Sequence, residues 1–285
     1  MSFIYKNEIG EEILLTSNKI KLINHNGMSG LENSINSIKS SNQNGSTYVN
    51  SSIEEREIKL TLRILANLEE YRTIKRKLFT VFNPAYQGEL ILKNTEGEKK
   101  LCTRVTYSPN FIIDGNKKEC EINLVALDPY WRDINETKTD IASWKGSFSF
   151  PLMIPLDTGI MIGYREPSLI ANVNNIGDIK TGMRIEFKAL SAVINPQLIN
   201  IETQDYIKIN KTMEAGEVIT VTTDFSNKRV SISKNGVLEN GFNYFDLYST
   251  FLQLEIGDNL FRYNAQEGLE SLEVTIYHTS RYLGV

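Results

Sequence analysis

Histidine and cysteine are nearly absent from this 285-residue sequence, with two of each. A histidine-based metal site or triad needs its histidines to converge with acids or a nucleophile. Here His25 and His278 stand near opposite ends of the chain. No catalytic residue, no metal ligand and no cofactor is assigned, and the chain is read as a non-enzyme. Cys102 and Cys120 are too few for a disulfide framework. Both sit in strand-like segments and are read as free thiols, with a bridge left open.

Other signals are missing too. A basic excess is absent: the net charge is −4, which argues against a duplex-binding protein. The nearest basic cluster, Arg72, Lys75, Arg76 and Lys77, falls on one helix and is read as a solvated face. No apolar run reaches the ~18–20 residues of a membrane helix, so no membrane segment is expected. The first residues, Met1 to Asn7, lack the basic start and apolar stretch of a signal peptide. That places synthesis, and any assembly, in the cytoplasm. HExxH, P-loop, GxGxxG and GxSxG motifs do not occur, because "GMSGL" leads into an Asn/Ser-rich stretch rather than a helix.

What is present is mainly β. Hydrophobic content of 41% and charged content of 23% are enough for proper cores. In "EREIKLTLRI", Ile58, Leu60, Leu62 and Ile64 alternate with Glu57, Lys59, Thr61 and Arg63, the pattern of a half-buried strand. The one helix is expected over 67–83. Leu68, Tyr71, Ile74, Leu78 and Phe82 recur at three- and four-residue steps, Asn67 and Glu70 form a capping box, and Asn83-Pro84 stops it. Two hairpins should follow, turning at Thr95-Glu96-Gly97 and at Asp114-Gly115.

Residues 27–52, rich in Ser, Asn and Gly, read as a long loop or a projecting strand arm. From 134 to 167, Pro151, Pro155 and Pro167 mark a connection, with room for an edge strand. From 168 onward only short alternating strands and turn signals appear, the pattern of a β-sandwich or jelly roll. The expected organisation is an N-terminal domain over 1–133, a connection over 134–167 and a sandwich over 168–285.

Two binding chemistries deserve weighing on such a scaffold. Glycoside hydrolysis needs a carboxylate pair, with Asp205, Asp224, Asp246, Glu255 and Asp258 as candidates, but Asp224 and Asp258 fall in turns and Glu255 on a solvated face. A carbohydrate-binding module is the alternative reading. Its candidate aromatics, Tyr244, Phe245 and Tyr248, have the spacing of a loop closing over the core. The paired aromatics of "LDPYWRD" pose the same question. Tyr130 and Trp131 either stack on a sugar or cover the end of a domain where the chain leaves it.

The order of these pieces resembles a known family. "NQNGSTYV", "EEREIKLTLRI", "EYRTIKRKLFTVFNP", the closing "INLVALDPYWRD" and, in the sandwich, "NVNNIGD" and "LEIGDN" follow one another as in the phage distal tail proteins. This siphophage tail-component family, often called Dit, includes related baseplate hubs of phage-like particles. The resemblance implies an α+β, barrel-like N-terminal domain with one main helix and a C-terminal galectin-like β-sandwich. It implies a homo-oligomer, a hexameric ring at the virion tail tip, made in the host bacterial cytoplasm. Its partners would be the tail tube protein and tail-tip or baseplate proteins, with DNA only passing through the channel. Under it, Tyr130 and Trp131 become a domain-edge plug. The arm's apolar residues Ile35, Ile38, Tyr48, Val49 and Ile53 become ring-contact candidates, since an arm too polar to fold on itself needs a neighbouring sheet.

Overall fold

A computed structural model describes residues 1–95, 97–115, 117–141, 144–146, 163–165 and 170–285, with 144–146 and 163–165 as backbone only. Two compact units emerge: Met1–Ile134 together with Arg281–Val285, and Asn135–Ser280. Pro151, Pro155 and Pro167 lie outside the described residues, as does Glu96 of the first hairpin turn.

The first unit holds β1 (Ser2–Asn7), β2 (Glu12–Leu14), β3 (Ile20–Asn26), β4 (Asn33–Ile38), β5 (Thr47–Ile53), β6 (Arg56–Ile64), α1 (Leu68–Val81), β7 (Gln87–Asn94), β8 (Gly97–Asp114), β9 (Lys117–Ala126) and β10 (Trp131–Asp133). Its main sheet runs β2-β1-β7-β8-β9-β6-β3. It is open: β2 and β3 end the path and do not pair, so hydrogen bonds do not close the expected barrel.

Alternation builds the core. On β6, Ile58, Leu60, Leu62 and Ile64 point inward and meet Leu90, Leu92, Ile122 and Leu124 from neighbouring strands. Helix α1 lays Tyr71, Leu78 and Val81 on that layer. The helix starts where the capping box predicts: the Asn67 side chain accepts from the Glu70 amide at 2.9 Å. Just past its end, Phe82 stacks on Tyr5 with centroids 4.2 Å apart.

One sequence expectation merges with another. The two hairpins share a single strand, the 18-residue β8. Pro109 cannot donate a ladder hydrogen bond, which reads as a strand break. The strand absorbs it instead, through register shifts between Val105, Tyr107 and Asn110.

The second unit carries β11 (Thr137–Asp140), β12 (Trp144–Gly146), β13 (Gly163–Arg165), β14 (Ile170–Asn175), β15 (Met183–Ala189), β16 (Val193–Ile194), β17 (Gln197–Asn200), β18 (Tyr206–Lys208), β19 (Thr212–Met213), β20 (Val218–Asp224), β21 (Asn227–Lys234), β22 (Val237–Asn240), β23 (Gly257–Asn264) and β24 (Leu272–His278). A sheet ordered β11-β24-β15-β20-β21-β22 packs on one ordered β14-β23-β17-β18. Ile185, Phe187, Val221 and Val274 from the first meet Val173, Leu198 and Phe261 from the second in one core. Among the described residues this unit has no α-helix, only 3-10 turns at Phe242–Tyr244 and Leu269–Ser271.

The expected connection over 134–167 leaves room for an edge strand. Thr137–Asp140, assigned to the connection over 134–167, is an edge strand paired with β24. At the other end, β25 (Arg281–Tyr282) leaves the sandwich and pairs with β10 of the first unit.

The two thiols are free and differ in access. Cys102 is exposed, while Cys120 is fully buried and burial pushes its pKa up to about 12. A thiol probe near neutral pH should therefore label one cysteine in the native protein and both after unfolding. Two fast thiols in the native state would contradict the placement of Cys120 in the core.

Candidate functional site

Among the described residues, the arm is a hairpin that joins no other sheet. Strands β4 and β5 pair only with each other. Ile35 and Ile38 are each 63% exposed and Tyr48 62%, with Val49 and Ile53 exposed as well. A lone two-stranded hairpin is marginal in water, and its outer edges carry unpaired backbone donors and acceptors.

Register decides which side chains share a face. Asn33 faces Ile53, Ile35 faces Ser51 and Asn36 faces Asn50; a shift then makes Ser37 face Tyr48 and Ile38 face Thr47. Val49 is the extra residue of this bulge. It re-phases the strand, so Tyr48 joins Ile35 and Ile53 on one side instead of opposing them. The Tyr48 hydroxyl lies 3.0 Å from the Ser51 Oγ, a contact between residues three apart that an unbulged strand would place on opposite faces. The other face is more polar, with Asn36 donating to Asn50 at 2.8 Å and Ile38 near the turn.

The arm's base is tied down at Arg56, which the sequence reading passed over. It is 2% exposed and touches no carboxylate among the described residues. Its guanidinium donates to five backbone carbonyls: Gly27 at 2.8 Å, Met28 at 2.7 Å, Gly30 at 3.3 Å, Pro129 at 2.8 Å and Leu283 at 2.6 Å. Three separate segments converge on one side chain. Burial pulls its pKa below the ordinary arginine value. The chain turns into the arm at Gly27, whose φ is +87° and where a Cβ would sit 1.9 Å from the Glu57 carbonyl oxygen. The signal for Arg56 was in the sequence: it has the same parity as Ile58, Leu60, Leu62 and Ile64.

Trp131 and Tyr130 border this knot. Trp131 is 0% exposed, and its Nε1 donates to the Met28 carbonyl at 3.0 Å. Tyr130 is half-buried with the Arg281 guanidinium 4.6 Å from its ring centre.

The remaining sequence candidates do not converge. His25 is exposed on β3 and His278 is buried in the other unit. No group of three or more His, Cys, Asp or Glu that could hold a metal occurs among the described residues. Asp246 is held below the usual carboxylate range by the Asn210 amide, and Asp258 by the amides of Asn172 and Asn174. A general acid needs the opposite shift. Tyr244 and Phe245 pack against the sandwich core, whereas Tyr248 is 83% exposed.

Against known proteins, residues 176–282 match the model of the siphovirus-type tail component, C-terminal domain, and residues 9–126 that of the phage tail protein RIFT-related domain. The chain is similar to the solved Dit protein of phage SPP1, described as a paradigm of hub adsorption apparatus in phages infecting Gram-positive bacteria. The TM-score is 0.71, with 13% identity over 99% of each chain. It is also similar to a chain of the phage P2 baseplate in its activated conformation with Ca (TM-score 0.56, 13% identity, 100% of this chain and 99% of that one). The form with Sr gives a TM-score of 0.55 at 12% identity, over 100% and 99%. No curated protein sequence matches. At such identities the solved structures speak for the fold.

Proposed function

Because the chain belongs to the siphovirus-type tail components of the distal tail (Dit) kind, we propose that it is the hub subunit of a closed, six-membered ring at a phage tail tip. Its place is the virion tail and its role there is structural, not enzymatic. The ring would join the tail tube protein to the tail-tip or baseplate proteins, and DNA would pass through its channel without binding. In this reading the first unit makes the ring, and the galectin-like sandwich presents adaptor surfaces. Tyr130 and Trp131 seal the domain edge.

The observation that carries the reading is the unaccompanied hairpin. Ile35, Tyr48 and Ile53 gather on one face of an arm whose apolar side chains, Val49 among them, stay exposed among the described residues. A stable contact needs ~800 Å² from each partner, a size an extended arm supplies.

Electron micrographs of the purified protein test the ring: a closed particle with a central hole is expected. Replacing residues 34–50 by a short Gly/Ser linker should leave monomers or open fragments by light scattering, with the sandwich still folded. A shortened protein that closes the same ring would move the contact off the arm.

A further inference from the structure

We propose that the arm of one copy docks on a specific surface of the next: the face formed by helix α1 and the tip of the β8–β9 hairpin. This rests on the ring reading above and names the receiving site.

The first argument is placement. The arm leaves the main sheet at the Arg56 end of β6, which pairs with Ala126. The β8–β9 tip lies beyond the other end of that strand, where Arg63 pairs with Glu119. Seven residues of strand separate the two ends, roughly 23 Å at ~3.3 Å per residue. One copy therefore keeps arm and tip apart. A ring needs two different patches on each subunit, one for each neighbour, and opposite ends of one sheet meet that need.

The second argument is apolar surface. Phe79 of α1 is 38% exposed and its ring centre lies 5.2 Å from that of Phe111. Ile113, two residues further along the same face of β8, is 63% exposed. Phe79 and Ile113, with the half-buried Phe111 between them, make an apolar strip that is exposed at both ends, a fit for Ile35, Tyr48 and Ile53.

Charge is the third argument, and it selects a second copy as the occupant. At the arm's base stand Glu32, Glu54, Glu55 and Glu57, all exposed. On α1, Arg72, Lys75 and Arg76 run with Phe79 in a stripe of three- and four-residue steps, and Lys117 lies at the hairpin tip. Lys75 sits 5.0 Å from the Phe111 ring centre. None of these acids or bases makes an ion pair among the described residues. The acids lie at one end of the unit and the bases at the other. Opposed signs steer such a head-to-tail contact and set its register.

Two variants and their mixture test this. Ile35→Ser with Tyr48→Ser disables the arm, and Phe79→Ser with Ile113→Ser disables the proposed receptor; all four side chains are exposed, so both proteins should keep the wild-type melting temperature. Each alone should give monomers where the wild type gives rings. Mixed one to one, they should form a dimer and nothing larger, because only one of the two possible contacts keeps both faces intact. A receptor variant that still closes rings, or a mixture that stays monomeric, overturns the proposal while leaving the ring reading standing. A wild-type chain that never forms a ring overturns the ring reading itself, and the docking with it. Should Phe79→Ser disturb folding, charge reversal replaces it. Glu54→Lys with Glu55→Lys should abolish the ring, and adding Arg72→Glu with Arg76→Glu should restore it; failure to restore counts against the pairing.

Discussion

Replacing Trp131 by alanine should lower the stability of the first unit by about 3–5 kcal/mol, the usual cost of truncating a buried tryptophan. The side chain is 0% exposed and belongs to the same core as Leu60, Leu62 and Phe82. Its indole N–H bond to the Met28 carbonyl is a smaller part of the loss. That oxygen keeps a second donor in Arg56, so it is not orphaned. Trp131→Phe, which keeps most of the apolar volume, should therefore be much milder. Urea melts monitored in each unit would separate the effects, because the second unit has its own core and should melt unchanged. The competing idea, a sugar platform, makes the opposite forecast: unchanged melting and lost glycan binding. A ring with no exposed face has nothing to stack on unless the domain opens first.

Legibility followed sequence distance. The strand Arg56–Ile64 and the helix Leu68–Val81 could be read because each signals itself within a few residues, by alternation in one and by a capping box in the other. The exposed hairpin was legible as a polar arm with sparse apolar residues. Its bulge was not, since only pairing reveals that Val49 is the extra residue and that Tyr48 changes sides. Pro109 gave no guide to the shared strand, because its missing donor looks the same at a strand end and at a bulge. Least legible was the return of Arg281–Val285 to the first unit. Nothing near residue 281 announces a partner at Trp131, and no local period relates Leu283 to Arg56. Such contacts depend on where the sandwich delivers the chain. The glutamates at the arm's base and the bases on α1 were all visible in the sequence, but their separation to opposite ends of one sheet was not.

Arg56→Met should also destabilise the first unit, for a different reason. Methionine fills much of the arginine stem's volume and supplies no donors. The substitution removes a buried charge, which by itself is favourable, but it strands four carbonyls from three segments, since the Met28 oxygen keeps the Trp131 indole N–H. Each buried acceptor left unpaired costs about 1–3 kcal/mol. Water can reach those whose bonds to Arg56 are only part-buried, at Gly27, Gly30 and Leu283. With that relief, the Pro129 oxygen is the acceptor left buried and unpaired, so the net loss should be about 1–3 kcal/mol. Arg56→Lys should recover little of it. An ammonium is a compact point with three donors and cannot span the Gly27, Pro129 and Leu283 oxygens as a planar fork does. Hydrogen exchange should report where the loss falls. Amides of 27–30 and of 281–284 should both exchange faster in the methionine variant, because the same side chain holds both segments, while β15 and β24 in the second unit stay protected. Gly284, whose Cβ position lies 2.8 Å from the Ser29 carbonyl oxygen, shows how closely those two segments pack. If 27–30 loosens and 281–284 does not, Arg56 supports the arm's base alone. If neither loosens and the stability is unchanged, the carbonyls find other partners, and the convergence on Arg56 is a consequence of the fold rather than a cause of it.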